Sequence, residues 1–167
     1  FVGSVDVYKR QTWTKSQDGY PWVGVSCQAN GSYLWYPSKE HPSDEPEGAD
    51  IHITVTKPLS VASNGVLQKV TDLKNKWHTW HWKTNYNINP YNINFTVGNF
   101  EIVERIIPSL EKPLNTQFFV LGENREGADK LLDHAEMYID FFTRSFGQYP
   151  WLLSLIHISE PTRLTRI

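Results

Sequence analysis

Residues 20–50, YPWVGVSCQANGSYLWYPSKEHPSDEPEGAD, hold the only cysteine of the chain, a dense set of aromatic rings and a polar loop ending in Ser43-Asp44-Glu45-Pro46. The stretch opens on a β-prone run, residues 22–27 (WVGVSC), and breaks at Gln28-Ala29-Asn30-Gly31, where Asn-Gly readily takes positive φ. Residues 32–36 (SYLWY) read as a second aromatic, β-prone run. Residues 37–48 then carry three prolines among charged side chains, which predicts a surface loop, because proline removes ladder donors and a loop must keep its backbone polar groups in water. Short strands feeding exposed loops predict one wall of a substrate cleft.

Outward from this stretch the chain reads strand after strand. Upstream, residues 12–20 are polar and end in the turn signal Asp18-Gly19. Residues 51–56 (IHITVT) alternate Ile51, Ile53 and Val55 against His52, Thr54 and Thr56, a half-buried strand. Residues 61–67 follow with Asn64-Gly65 at a turn. Residues 76–84 alternate again, His78, Trp80 and Trp82 on one face and Trp77, Thr79 and His81 on the other. Ile93, Phe95 and Val97 make a further strand, and residues 100–107 and 115–121 are the last candidates.

Then the period changes. Across residues 127–146, Leu131, Ala135, Tyr138, Ile139, Phe142 and Phe146 recur at three- and four-residue spacing, which predicts an amphipathic helix capped by Gly147 and stopped by Pro150. The switch places an expected domain boundary between Leu121 and Gly127: a β domain over residues 12–124, then a helix over 125–152 that opens a further domain. The expected fold class is mainly β, antiparallel, followed by one long helix.

Composition narrows the function. Of 167 residues 40% are hydrophobic and 20% charged, enough for a core and too few charges for a disordered chain. A net charge of −2 leaves no basic surplus for nucleic acid or anionic lipid. One cysteine excludes an internal disulfide and a cysteine-built zinc site. No apolar run approaches the roughly 18–20 residues of a membrane span.

Chemistry-bearing residues are few. His78 and His81, three apart on a strand, point to opposite faces and are not expected to share a metal. No HExxH occurs, and His134 has Glu136 nearby but no partner histidine, so no metal site is expected from this chain. Asp44, Glu45 and Glu47 could act as an acid–base pair, yet a structural role for Asp44, bonding loop amides ahead of Pro46, fits a proline loop better. Cys27 lacks a neighbouring base signature and reads as a small buried hydrophobe rather than a nucleophile. Gln28, an uncharged donor and acceptor beside a turn, is open between bracing the loop and contacting a ligand.

Both chain ends stand apart. The DNA string GATGTGTATAAGAGACAG encodes Asp6 to Gln11 and, reversed and complemented, encodes Leu153 to Ile158. Such a pair resembles the transposase adapters of sequencing libraries. Residues 1–11 and 153–167 are therefore expected to be foreign to the natural protein and are set aside from fold reasoning.

Read together, Cys27-Gln28-Ala29, Trp35-Tyr36-Pro37-Ser38-Lys39 and Ser43-Asp44-Glu45-Pro46 resemble, in order, elements of the N-terminal domain of M1-family zinc aminopeptidases, the relatives of aminopeptidase N and leukotriene A4 hydrolase. Val61-Ala62-Ser63-Asn64-Gly65 is similar to the family's V-S-N-G turn, and Phe146-Gly147-Gln148-Tyr149-Pro150 to the F-G-x-Y-P that ends the first helix of its catalytic domain. Asn87 stands where the family's later element has Pro, and Tyr36 and Glu40 depart from the W-W-P-x-K-D loop of bacterial members.

The resemblance implies a saddle-like β domain covering a zinc domain that is not in this sequence. It implies that Gln28 binds the free α-amine of a peptide substrate or lines the first side-chain pocket, with Ser26 and Ala29 at the same pocket, Asp44 and Pro46 shaping the loop, and no catalytic or metal residue here. Zinc would belong to the parent enzyme. The implied partners are peptides with free N-termini and the missing catalytic domain. The bacterial look-alikes are compatible with a periplasmic or secreted location, and the sequence itself sets no compartment. The alternatives are a non-catalytic β-sandwich module binding carbohydrate or protein through its Trp-rich strand, and the N-terminal domain of a catalytically dead relative. A long closing helix argues against a self-contained module.

Overall fold

Alternating side chains build most of this protein, and the register of the strands decides what those side chains meet. The computed structural model describes residues 11–25, 27, 31–41, 43–111, 113–148 and, for the backbone alone, 155–158. The chain divides into two compact units, one formed mainly by residues up to Asn99 and one by Phe100 onward together with Ser16–Asp18.

The first unit contains two antiparallel sheets. Strands β1 (Gln11–Lys15), β2 (Pro21–Val25), β4 (Ser60–Ser63) and β7 (Phe95–Gly98) form a four-stranded sheet in the order β1-β2-β7-β4. Strands β3 (Ala49–Thr56), β5 (Val66–Asp72) and β6 (Trp77–Thr84) form the other, ordered β3-β6-β5. The inward face of β6 carries His78, Trp80, Trp82 and Thr84, all buried, as its alternation predicts. Trp82 is fully buried and donates its indole N–H to the carbonyl of Val61 on β4 at 3.0 Å. His78 Nε2 lies 2.7 Å from the carbonyl oxygen of Leu59. Val61 and Ala62 are fully buried, so the core of this unit lies where the β6 side chains reach the β4 backbone.

The Asn64-Gly65 turn joins β4 to β5 as expected. Gly65 has φ +85°, and a Cβ there would sit 2.1 Å from the carbonyl oxygen of Lys83, so only glycine fits. Asn64 Oδ1 accepts from the backbone N–H of Asn94 at 2.8 Å, tying the turn to the chain entering β7.

Two local expectations change. Residues 32–36 are not a strand: Ser32–Leu34 form a 3₁₀ turn introduced by Gly31 at φ 100°. The hydrogen bonds within that turn, and those it donates to Glu40, outweigh the β propensity of its aromatics. Residues 12–15 (TWTK), read only as polar, form β1 together with Gln11 of the segment set aside, because they pair along the whole of β2.

The second unit contains β8 (Phe100–Ile107), β9 (Leu114–Leu121), α1 (Arg125–Phe146) and β10 (Leu155–Ile158), with sheet order β10-β9-β8. β8 and β9 are antiparallel, and β10, within the segment set aside on sequence grounds, runs parallel to β9. The two compact units thus divide at residue 99, ahead of the change in hydrophobic period.

α1 ends as predicted on Gly147, at φ 94°, whose N–H bonds the Thr143 carbonyl at 3.0 Å. Its packed stripe differs from the expected one. Ala128 and Leu132 are buried against Phe118 and Val120 of β9, with Val103 and Ala135 alongside, whereas Leu131, Tyr138, Phe142 and Phe146 are exposed. The helix therefore carries two apolar stripes, and the sheet takes the one with the smaller residues. Among the described residues no helix is long and apolar enough to cross a membrane.

Candidate functional site

A cavity of about 500 Å³ lies in the first unit, between β3 and the loop over residues 35–46. One wall is β3 from Ala49 to Ile53, the edge strand of its sheet; the other holds Trp35, Tyr36, Lys39 and Asp44. The loop wall is held by one carboxylate. Glu40 accepts from the backbone N–H groups of Gly31 at 2.7 Å and Tyr33 at 3.1 Å, and from the hydroxyl of Ser32, itself fully buried. The Ser32 and Ser38 hydroxyl oxygens are 2.6 Å apart. Desolvation works against the charged form of Glu40, but the bonds from Ser32 and the three turn amides outweigh it and hold its carboxyl below the usual range.

The aromatic part of the wall is anchored separately. Tyr36 donates its hydroxyl to the Pro90 carbonyl at 3.0 Å, and burial pushes its pKa up against opposing hydrogen bonds from Ser38 and Ser32. Trp35 packs edge-on to Tyr36 and Phe95 at ring separations of 4.6 and 5.3 Å. Its Nε1 is buried with no hydrogen-bond partner among the described residues, the kind of donor that a water or a ligand atom satisfies.

The residues singled out by sequence distribute as follows. Ser26, Gln28 and Ala29 lie outside the described residues. Asp44 and Pro46 both line the cavity. The Asp44 carboxylate pairs with Lys39 Nζ at 3.0 Å, and the Pro46 carbonyl accepts from the Ile88 N–H at 3.2 Å. Among the described residues the carboxylate that collects loop amides is Glu40. Cys27 is half-buried and not in a disulfide.

Sequence reasoning also missed a cluster on the outward face of the β3–β6 pair. His52 and His81 are direct cross-strand partners, with rings stacked at 4.0 Å and 16°. Asp50, one step along the same face of β3, accepts from His81 Nε2 at 2.7 Å and lies 3.5 Å from Lys83 Nζ. The hydrogen bond from His81, aided by Lys83, holds the Asp50 carboxyl below its usual range. Alternation did put both histidines on outward faces; only the register brings them together.

The arrangement is suited to binding. Its serine hydroxyls are tied into the turn, and Lys39, Asp44, Asp50 and His52 edge a space lined otherwise by Trp35, Tyr36, prolines and isoleucines.

The sequence matches no protein-family model and no curated protein sequence. Solved structures do match. One is a two-domain M1 zinc metallopeptidase in a Glu-to-Ala variant bound to L-arginine, with TM-score 0.71 at 17% identity over 94% of this chain and 35% of that one. The same kind of variant bound to L-tryptophan gives 0.70 at 17% identity over 93% and 35%. An M1 zinc metallopeptidase from Deinococcus radiodurans gives 0.69 at 16% identity over 85% and 32%. The chain spans about a third of the length of these relatives. Identity this low speaks for architecture alone. Antiparallel sheets closed by one helix, superposable along most of their length on these enzymes, give the chain an M1-peptidase N-terminal-domain-like fold.

Proposed function

We propose that this chain is the substrate-recognition part of a zinc metallo-aminopeptidase that removes N-terminal residues from peptides. The observation that carries this reading is a fold likeness to M1 zinc metallopeptidases over 94% of the chain, joined to the order of the Cys27-Gln28-Ala29, Trp35 to Lys39 and Ser43 to Pro46 elements. Two of the matching structures hold a free amino acid, L-arginine or L-tryptophan, ligands that carry the α-amine such a site would read. In this reading Gln28 accepts a hydrogen bond from the substrate ammonium through its amide oxygen, and Ser26 and Ala29 line the first side-chain pocket. A neutral acceptor selects unblocked N-termini without burying a second charge. Holding that end in register positions the scissile bond.

Zinc would polarise the peptide carbonyl and activate water in the parent enzyme. The sequence has no HExxH, so its residues do not fit the catalytic zinc and no step of the hydrolysis runs through them. Residues 1–11 and 153–167 are read as adapter-derived, and α1 as the first helix of the catalytic domain.

Sequencing the source gene past the codon for Trp151, from a library free of this adapter, tests the reading directly. A frame running into a G-x-M-E-N loop and an HExxH helix supports it; a frame lacking both overturns it. In the enzyme so recovered, Gln28→Ala should lower kcat/KM for free-amino substrates by about 10–100-fold, the worth of one hydrogen bond to a charged group. An unchanged kcat/KM would remove Gln28 from the site.

A further inference from the structure

Two paired strands hold three metal-type donors against one another on the open face of the first unit. His52 on β3 and His81 on β6 are in direct register, so the β3–β6 ladder sets the spacing of their Cα positions. Asp50 precedes His52 by two residues and shares its face. One donor atom from each of the three lies within 4.8 Å of the other two. Asp50 and His52 also line the cavity, which places the cluster at its rim.

We propose that Asp50, His52 and His81 form a binding site for a borderline divalent transition-metal ion of the Zn²⁺ class. Two imidazole nitrogens and one carboxylate oxygen suit such ions, whereas Mg²⁺ and Ca²⁺ ask for all-oxygen shells. Tetrahedral bonds of about 2.0–2.1 Å bring donor atoms to roughly 3.4 Å from one another. Closing from the present separations takes side-chain rotation only, since the strands already fix the spacing. The stacked rings tilt toward a common point, and Asp50 exchanges its bond to His81 Nε2 for one to the metal. Three protein donors leave a fourth position open for water or for a polar atom of whatever occupies the cavity.

The cation must compete with Lys83, whose Nζ is 3.5 Å from Asp50, and with Lys69, which stands in register with His81 on the far side. Lys83 is 41% exposed along its side chain and can swing into solvent. This competition gives the site a signature that a merely structural histidine pair lacks: removing the lysine charge should tighten metal binding.

The test is calorimetric titration of the untagged 167-residue chain with Zn²⁺, with Mg²⁺ as control, alongside the histidine Cε1–H signals in NMR spectra. One Zn²⁺ per chain is expected, with His52 and His81 signals shifting together and Mg²⁺ giving no response. His52→Thr and His81→Thr, β-formers on an outward face, should each weaken Zn²⁺ at least about tenfold while leaving the circular dichroism unchanged. Lys83→Met should strengthen it, and His134→Ala should leave it unchanged. Zn²⁺ affinity that survives both histidine replacements, or shifts confined to His41 and His134, overturns the proposal. Loss of binding with loss of fold in either variant passes the decision to the wild-type NMR shifts, where unmoved His52 and His81 signals likewise overturn it.

Discussion

Trp82 on β6 donates its indole N–H to the Val61 carbonyl on β4 at 3.0 Å, and both residues are fully buried. One bond thus joins the two sheets of the first unit at the centre of its core. Trp82→Phe keeps most of the apolar volume and removes the donor, which should cost about 1–3 kcal/mol. Trp82→Ala should cost about 3–5 kcal/mol, because it also opens a cavity. Urea unfolding of the two variants separates the contributions; equal losses would mean that the added cavity costs nothing, and a Trp82→Phe protein as stable as wild type would mean that the hydrogen bond contributes nothing.

Glu40 makes stability depend on acid. Its folded-state pKa lies below the ordinary 4.5, so the stability it contributes is fully present above about pH 4.5 and is lost as pH falls through the folded value. The lowered carboxyl of Asp50 acts in the same direction. Glu40→Gln should therefore destabilise by about 1 kcal/mol at pH 7, the half-exposed position reducing the value of a charged hydrogen bond. Once the pH is below the folded value, wild type and variant should unfold at almost the same urea concentration. A gap that stays constant with pH would show that Glu40 acts by shape alone.

Gly65 tests the turn between β4 and β5. Alanine there meets the Lys83 carbonyl and adopts φ +85°, so Gly65→Ala should cost about 1–3 kcal/mol. Gly19, also at positive φ but with open space around its Cβ position, should cost less on the same change. Thermal unfolding of the pair would show whether close approach or dihedral preference dominates.

The two stripes of α1 should respond oppositely. Leu132→Ala empties a packed position against β9 and should cost about 2–4 kcal/mol. Phe142→Ser removes a ring that is 54% exposed and should leave stability within about 0.5 kcal/mol while raising solubility. Limited proteolysis adds a second readout, since exposed Phe141, Phe142 and Phe146 invite cleavage in the last turns. Protease resistance through residues 127–146 would count against a missing partner for that stripe.

What the sequence disclosed follows from where the determining forces act. The alternation in residues 51–56 and 77–84 is a local record of burial, and both strands form with the predicted faces. Gly147 caps α1 because a positive φ is a property of one residue. Register is not local, so nothing in either strand announced that His52 would face His81. The turn at Ser32 eluded propensity because its shape depends on Glu40, eight residues on. β1 was missed because four of its five residues are exposed and its order comes from pairing with β2. Of α1, the period was legible and the choice of stripe was not, since that choice depends on how closely Ala128 lets the helix approach the sheet. Gln28, Ser26 and Ala29 rest on resemblance.

The carboxylate of Glu40 reaches back to the amides of Gly31 and Tyr33, and so fastens the chain into a ring of about ten residues, as a buckle closes a strap. Trp35, Tyr36 and Lys39 lie inside the ring and face the cavity. Their identities can change without loosening the fastening, while a length change between Gly31 and Glu40 would pull the buckle open. Diversity in what the cavity accepts is therefore open to substitution within the ring, and insertions are confined to the stretch beyond Glu40.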